Sequence, residues 1–235
     1  MIPLVVIRPQ PGADATVMAA TALGLDPHAF PLFAVAPVMW EAPDPARIDA
    51  LLIGSANALR HGGGALERYR GKPVYAVGQT TAAECRAAGL TVAVTGSGGL
   101  EGVVASIAGP ARLLRLAGRE HIALAPPAGV ELVKRIVYAS EPLPMTEELA
   151  DLLHTSATVL LHSAAAATHF AAECDRLGLR RGKIALVSIG PRVTAACGTG
   201  WAEVATAASP DDASLLAQAR HMCQNRDRTL HDGAD

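Results

Sequence analysis

The chain says nearly the same thing twice, and that repeat dictates its architecture. Leu51-Leu52-Ile53-Gly54-Ser55-Ala56-Asn57-Ala58 is answered by Val159-Leu160-Leu161-His162-Ser163-Ala164-Ala165-Ala166. Val74-Tyr75-Ala76-Val77-Gly78-Gln79-Thr80-Thr81 is answered by Leu186-Val187-Ser188-Ile189-Gly190-Pro191-Arg192-Val193. The second register runs on without a gap, setting Val92 against Val204 and Ser97 against Ser209. Each copy is an apolar run, then small or polar residues, then an alanine-rich stretch. That order reads as a buried strand turning into a helix. Strand–helix alternation predicts parallel sheets with right-handed crossovers. Near-continuous apolar strands imply that both sheet faces are covered. Open sheets of this kind bind ligands where strands end and helices begin.

Strand-like runs lie at 4–7, 51–53, 74–77, 92–94, 112–116, 159–161, 184–189 and 203–205. Helix-compatible stretches lie at 13–23, 56–69, 80–88, 100–107, 129–134, 164–177, 193–198 and 213–223. Ser97 and Ser209 are placed as helix N-caps, with acidic residues in the following turns. Two extended, proline-ended segments, 31–37 and 134–142, interrupt the alternation and read as linkers. The tail at 224–235 is polar without apolar periodicity and is expected to be disordered.

Composition removes several function classes. Half of the 235 residues are apolar, enough for a sizeable core. Only 3% are aromatic, which argues against a base-stacking surface. A formal net charge of −2 argues against a general nucleic-acid binder. Cys85, Cys174, Cys197 and Cys223 form no C-x-x-C pair and read as buried thiols. The histidines show no metal spacing, so no metal is expected. The amino terminus reads as a first strand and no run reaches spanning length, so a cytoplasmic protein without membrane contact is expected. Neither a P-loop nor G-x-G-x-x-G is present, and Thr95-Gly96-Ser97-Gly98-Gly99 reads as a linker before a helix. Ser55 and Ser163 lie outside any nucleophile elbow.

What remains is a set of strand-to-helix turns. They are Arg8-Pro9, Ser55-Ala56-Asn57, Gly78-Gln79-Thr80-Thr81, Arg115-Leu116-Ala117-Gly118, Ser163-Ala164 and Gly190-Pro191-Arg192-Val193-Thr194. Hydroxyls and amides at such turns cap helices in most proteins. The same groups, with free backbone N–H donors and the helix dipole, also receive carboxylates and phosphates. Six such turns in two similar units point to one polyanionic ligand.

Taken in order, these residues resemble the uroporphyrinogen-III synthase family. The carriers are Arg8-Pro9, Ser55-Ala56-Asn57-Ala58, Val77-Gly78-Gln79-Thr80-Thr81, Arg115 to Gly118, Val137-Tyr138 with Pro142, His162-Ser163-Ala164 and Ile189-Gly190-Pro191-Arg192. The resemblance implies two doubly wound, flavodoxin-like α/β domains joined by a two-stranded linker. Residues 1–32 with 143–235 would form one domain and 40–134 the other, with linkers at 33–39 and 135–142. It implies closure of hydroxymethylbilane, an octacarboxylate, to uroporphyrinogen III with inversion of ring D and loss of water. No cofactor and a monomeric chain are expected with it. Tyr138 matches the linker tyrosine that would assist hydroxyl departure; interdomain packing is its other reading. Arg8, Ser55, Asn57, Gln79, Thr80, Arg115, Gly118, Ser163, Ala164, Arg192, Val193 and Thr194 would bind substrate. The family pattern has threonine where this chain has Val193, with Thr194 one place later, which puts the threonine's role in question. A catalytically silent tetrapyrrole- or anion-binding module is the alternative expectation.

Overall fold

A computed structural model describes residues 1–107 and 109–232. In chain order the strands are β1 (Leu4–Val6), β2 (Pro27–Ala29), β3 (Phe33–Pro37), β4 (Ala50–Ile53), β5 (Pro73–Val77), β6 (Thr91–Gly96), β7 (Ala111–Gly118), β8 (Val130–Pro142), β9 (Ala157–Leu161), β10 (Ile184–Ser188) and β11 (Glu203–Thr206). The helices are α1 (Gly12–Ala22), α2 (Asn57–His61), α3 (Gln79–Ala87), α4 (Leu100–Ala105), α5 (Glu147–Leu153), α6 (Ala164–Arg176), α7 (Pro191–Ala195) and α8 (Asp212–Asp232). The chain divides into two compact units. Unit one is Met1–Ala34 with Pro142–Asp235, and unit two is Val35–Glu141.

Unit one holds a parallel sheet ordered β11-β10-β9-β1-β2. Successive side chains of a strand point to opposite faces, and here both faces are dry. Val5, Ile7, Val159, Leu161 and Leu186 pack with Leu149, Leu153, Phe170 and Cys174 on one side. Leu4, Val6, Leu160 and Val187 pack with Ala13, Ala20, Leu215 and Ala219 on the other. A buried carboxylate fastens the first layer. Glu173 accepts the Met145 N–H at 2.6 Å and two hydrogen bonds from Arg176 at 2.6 and 2.8 Å.

Unit two holds a sheet ordered β3-β8-β7-β4-β5-β6, parallel from β8 to β6. One face is a continuous cluster that includes Leu51, Ile53, Leu114 and Leu116 under Tyr69, Ala82 and Cys85. The opposite face is thinner, split between clusters around Leu113 and around Leu52 with Val103 and Val104.

The strand orders reveal a permutation. Numbered along the chain, unit one reads 2-1-3-4-5, whereas unit two without β3 reads 3-2-1-4-5. The repeated triads β4-β5-β6 and β9-β10-β11 occupy the same half of each sheet. Beyond them stand β1 and β2 in unit one but β7 and β8 in unit two. The two sheets therefore match in layout, with two strands supplied before the repeat in one unit and after it in the other. One covering element differs: α1 joins β1 to β2, while 119–129 joins β7 to β8 without a helix.

Several local expectations are corrected. The helix expected at 129–134 is the start of β8, because Val130 to Ile136 pair residue by residue with β7. The helix expected at 56–69 breaks into α2 and a 3₁₀ segment, Gly64–Tyr69, at Gly63, whose φ of +68° suits glycine. Gly99, not Ser97, precedes α4. The cap of α8 is Asp211, which accepts the Ser214 N–H at 2.8 Å, not Ser209. Order does not end at Gln224. α8 continues to Asp232 because Met222 and Cys223 are buried and Arg226 donates to the Ala157 and Lys183 carbonyls. Residues 233–235 of the expected tail lie outside the described residues.

Candidate functional site

In a doubly wound sheet the ligand crevice opens where strand order reverses, beyond the carboxyl ends of the strands. In unit one that point lies between β1 and β9, which end toward Arg8 and His162-Ser163. In unit two it lies between β4 and β7, which end toward Ser55 and Gly118.

The unit-one crevice carries a charge cluster. Arg8 Nη1 donates to Asp212 Oδ2 at 2.7 Å, to Oδ1 at 3.0 Å and to Thr16 Oγ1 at 3.2 Å. Thr16 Oγ1 donates to Asp212 Oδ2 at 2.9 Å. His162 Nε2 stands 3.3 Å from Asp212 Oδ1. Burial, with the Arg8 charge second, pushes the His162 pKa down to about 4, against the opposing pull of Asp212. Ser163 caps α6, its hydroxyl accepting the Ala166 N–H at 3.1 Å, and Ala164 is the exposed first residue of that helix.

Further along the same edge, Arg192 is exposed at the start of α7. Val193 turns its side chain into the core, and its N–H is taken by the Gly190 carbonyl at 2.9 Å. Thr194 Oγ1 stands 2.5 Å from Ser188 Oγ and 2.6 Å from Thr206 Oγ1, in a chain of hydroxyls. The ungapped repeat sets Val193 against Thr81. Both are the inward-facing third residue of their helices, α7 and α3.

The unit-two crevice holds a small cavity of about 100 Å³, lined by Gly54, Ser55, Leu100, Arg115, Leu116, Ala117, Ile122 and Tyr138. Ser55 and Tyr138 come from opposite flanks of β7, on which Arg115 stands. Ser55 Oγ accepts the Asn57 N–H at 3.3 Å. Gly118 pairs with Tyr138 at a β-bulge, and its missing side chain makes room for the phenol. A Cβ there would lie 2.7 Å from the Tyr138 Cε2 and Cζ atoms. His61 faces the Tyr138 ring with centroids 6.4 Å apart, and burial, then Arg60, lowers its pKa. Asn57 Oδ1 accepts from Arg60 at 3.4 Å. Gln79 and Thr80 are exposed at the start of α3 and do not line this cavity.

Thr16, Asp212 and Ile122 were absent from the expected site. Asp212 showed only as an acidic residue near a helix start, and nothing local announces its partner Arg8, 204 positions away. No group of three or more potential metal-ligating side chains occurs among the described residues. No helix among them is long and apolar enough to cross a membrane. All four cysteines are buried and free, and burial raises the Cys85 thiol to about 11 and the Cys174 thiol to about 12.

Parallel sheets with polar crevices at their switch points define the class: an α/β protein built to hold ligands at strand ends. The particular family follows from comparison. The model of the family described as uroporphyrinogen-III synthase HemD matches residues 14–217. The chain belongs to that family, the cyclising lyases that act on hydroxymethylbilane to form uroporphyrinogen III in heme biosynthesis. Among solved structures, uroporphyrinogen-III synthetase from Helicobacter pylori is 16% identical with a TM-score of 0.66, covering 94% of this chain and 100% of that one. A mutant uroporphyrinogen III synthase from the extremely thermophilic bacterium Thermus thermophilus is 15% identical with a TM-score of 0.51, covering 96% and 100%. These two likenesses speak to the fold. No curated protein sequence matches significantly.

Proposed function

We propose that the chemistry of closure is assisted from the unit-two crevice, with Tyr138 as the residue that helps the hydroxyl leave. The observation that carries this reading is that Tyr138 lines one cavity with Ser55 and Arg115, a phenol beside an anion-type seat. In the reaction the C–O bond of the terminal hydroxymethyl group breaks and the hydroxyl departs as water, taking a proton. The phenol donates a hydrogen bond or that proton. Electrons from the ring A pyrrole nitrogen assist the departure. The substituted carbon of ring D then attacks the resulting electrophile to give a spiro intermediate. Its bond to the methylene of ring C breaks, and the free α-carbon of ring D bonds to that methylene instead. Loss of the proton on that α-carbon restores the pyrrole and replaces the proton spent on the leaving hydroxyl. The protein's part is to hold the chain in the pose that favours this attack over simple head-to-tail closure.

The exposed hydroxyls and first-turn N–H groups at Ser163-Ala164, and the Arg192 side chain, are read as carboxylate contacts of unit one; Gln79 and Thr80 are read as those of unit two. Arg8 and Thr194 bind through whatever capacity Asp212 and Ser188 leave them, whereas Val193, its N–H held by Gly190 and its carbonyl by Ala196, shapes the turn without offering a carboxylate a donor. We read unit one as a flavodoxin-like domain and unit two as its permuted counterpart, with residues 33–39 and 135–142 as the linker strands. A monomer acting in the cytoplasm completes the reading, and sedimentation checks the first part.

Product analysis tests it. Purified protein should give the type III isomer from hydroxymethylbilane, and type I alone would overturn the assignment. Tyr138→Phe should lower kcat about tenfold or more, up to the roughly hundredfold at the low end for single acid–base groups, and leave the melting temperature near wild type. Unchanged kinetics would return Tyr138 to packing.

A further inference from the structure

The matching sheet layouts give the strand positions of the unit-two crevice counterparts in unit one. Leu52 and Leu160 are equivalent in the repeat. In the sheets, Leu160 is opposite Val6 and Leu52 is opposite Arg115. Arg115 therefore occupies the position that unit one gives to a fully buried valine. Unit one covers Val6 with α1 and α8. Unit two has no counterpart of α1, and its 119–129 segment lies over Arg115 instead, with the Ile122 carbonyl accepting from Nη2 at 2.8 Å.

Arg115 is buried to within 4% of its surface, and its Nε has no hydrogen-bond partner. Two other arginines have a buried Nε without a hydrogen bond, but each has an acid: Arg112 with Glu131 at 3.0 Å and Arg181 with Asp175 at 2.7 Å. Arg115 has no carboxylate within ion-pair distance among the described residues. A buried cation with one carbonyl for company is costly and is normally paired. Burial lowers its pKa, the sign of a charge held away from water. It nevertheless lines a cavity that reaches Ser55 and Tyr138.

We propose that Arg115 is an unfilled seat for one carboxylate arm of the substrate, which completes an ion pair the chain leaves open. This rests on the reading that the unit-two crevice engages hydroxymethylbilane. A guanidinium offers two parallel N–H donors to a carboxylate. The free Nε and the Nη2 now held by the Ile122 carbonyl lie on one edge of the group. A carboxylate taking that edge replaces the Ile122 carbonyl and frees the 119–129 segment, with Ser55 lining the same cavity.

The test uses the full chain with Arg115→Met, which fills similar space without charge. KM for hydroxymethylbilane should rise tenfold or more, with the loss falling on KM more than on kcat, as for an interaction made in both ground and transition states. The melting temperature without substrate should stay level or rise, because an uncompensated buried charge is gone. Sodium acetate should raise the melting temperature of wild type above that in sodium chloride of equal ionic strength, and this difference should vanish in Arg115→Met. An unchanged KM, or an acetate effect that survives the substitution, would overturn the proposal. If Arg115→Met does not fold, Arg115→Lys serves, and it should give an intermediate KM and a weakened acetate effect; wild-type values for both would equally overturn it. Wild type that makes only the type I isomer sinks the functional reading. Wild type that makes type III beside an indifferent Arg115 variant sinks this proposal alone.

Discussion

In unit one the crevice cation, Arg8, meets Asp212 at 2.7 Å and shares it with Thr16 and His162. In unit two the crevice cation, Arg115, meets no acid among the described residues and only the Ile122 carbonyl. Both stand at the switch point of a parallel sheet whose strands match in layout. The difference traces to the permutation. Unit one places α1 and the start of α8 against β1, and with them come Thr16 and Asp212. Unit two supplies β7 and β8 after the repeat and joins them without a helix, so no acid among the described residues reaches Arg115. One crevice is neutralised by the chain itself; the other is left for a ligand to neutralise.

Asp212→Ala attacks the first half of that contrast. Arg8 and Asp212 are 30% and 37% exposed, so the pair is partly screened and its loss should cost about 1–2 kcal/mol, between exposed and buried values. A fall of several degrees in melting temperature, with KM changed less than twofold, is the expected result of calorimetry and kinetics together. A large KM change at unaltered stability would mean that Arg8 carries as much of the substrate's charge as Arg115 does, and the contrast would fail.

Gly118→Ala sharpens the second half. The added Cβ would sit 2.7 Å from the Tyr138 ring and must push the phenol out of its place. Turnover should fall about tenfold, near 1.4 kcal/mol of barrier. Adding Tyr138→Phe should then cost little more, because both changes act on one hydroxyl. Full additivity in a double-mutant cycle would show that Gly118 acts elsewhere.

The repeated strands were legible because a strand buried on both faces is an apolar run whatever its neighbours. β2 was not, since Pro27-His28-Ala29 is half-exposed and ordered by pairing with β1 alone. Val130-Glu131-Leu132-Val133-Lys134 suits either period, and only its register with β7 decides for a strand. At the site, Arg115, Ser55 and Tyr138 could be picked out one by one. That they share a cavity, and that Arg115 lacks an acid, depends on which strands lie side by side. Asp212 was hidden for the same reason: its partner is set by topology, not by spacing.

His162 offers the smallest and most specific check on the self-neutralised crevice. Burial, then the Arg8 charge, holds its folded-state pKa down near 4, below the ordinary histidine value of about 6.5. The unfolded chain therefore binds the proton first, and unfolding is favoured as protons become available. The stability that neutral His162 contributes is fully present above about pH 6.5, and it is lost as the pH falls through 4. Denaturant titrations at intervals across this window should show wild type weakening and His162→Asn weakening less. Asp212 faces the same ring and restrains the shift. Asp212→Asn should therefore steepen the wild-type decline, since Arg8 then acts on the imidazole unopposed. Equal slopes in wild type and His162→Asn would place the imidazole in contact with water and open the unit-one crevice to ligand, erasing the contrast with unit two.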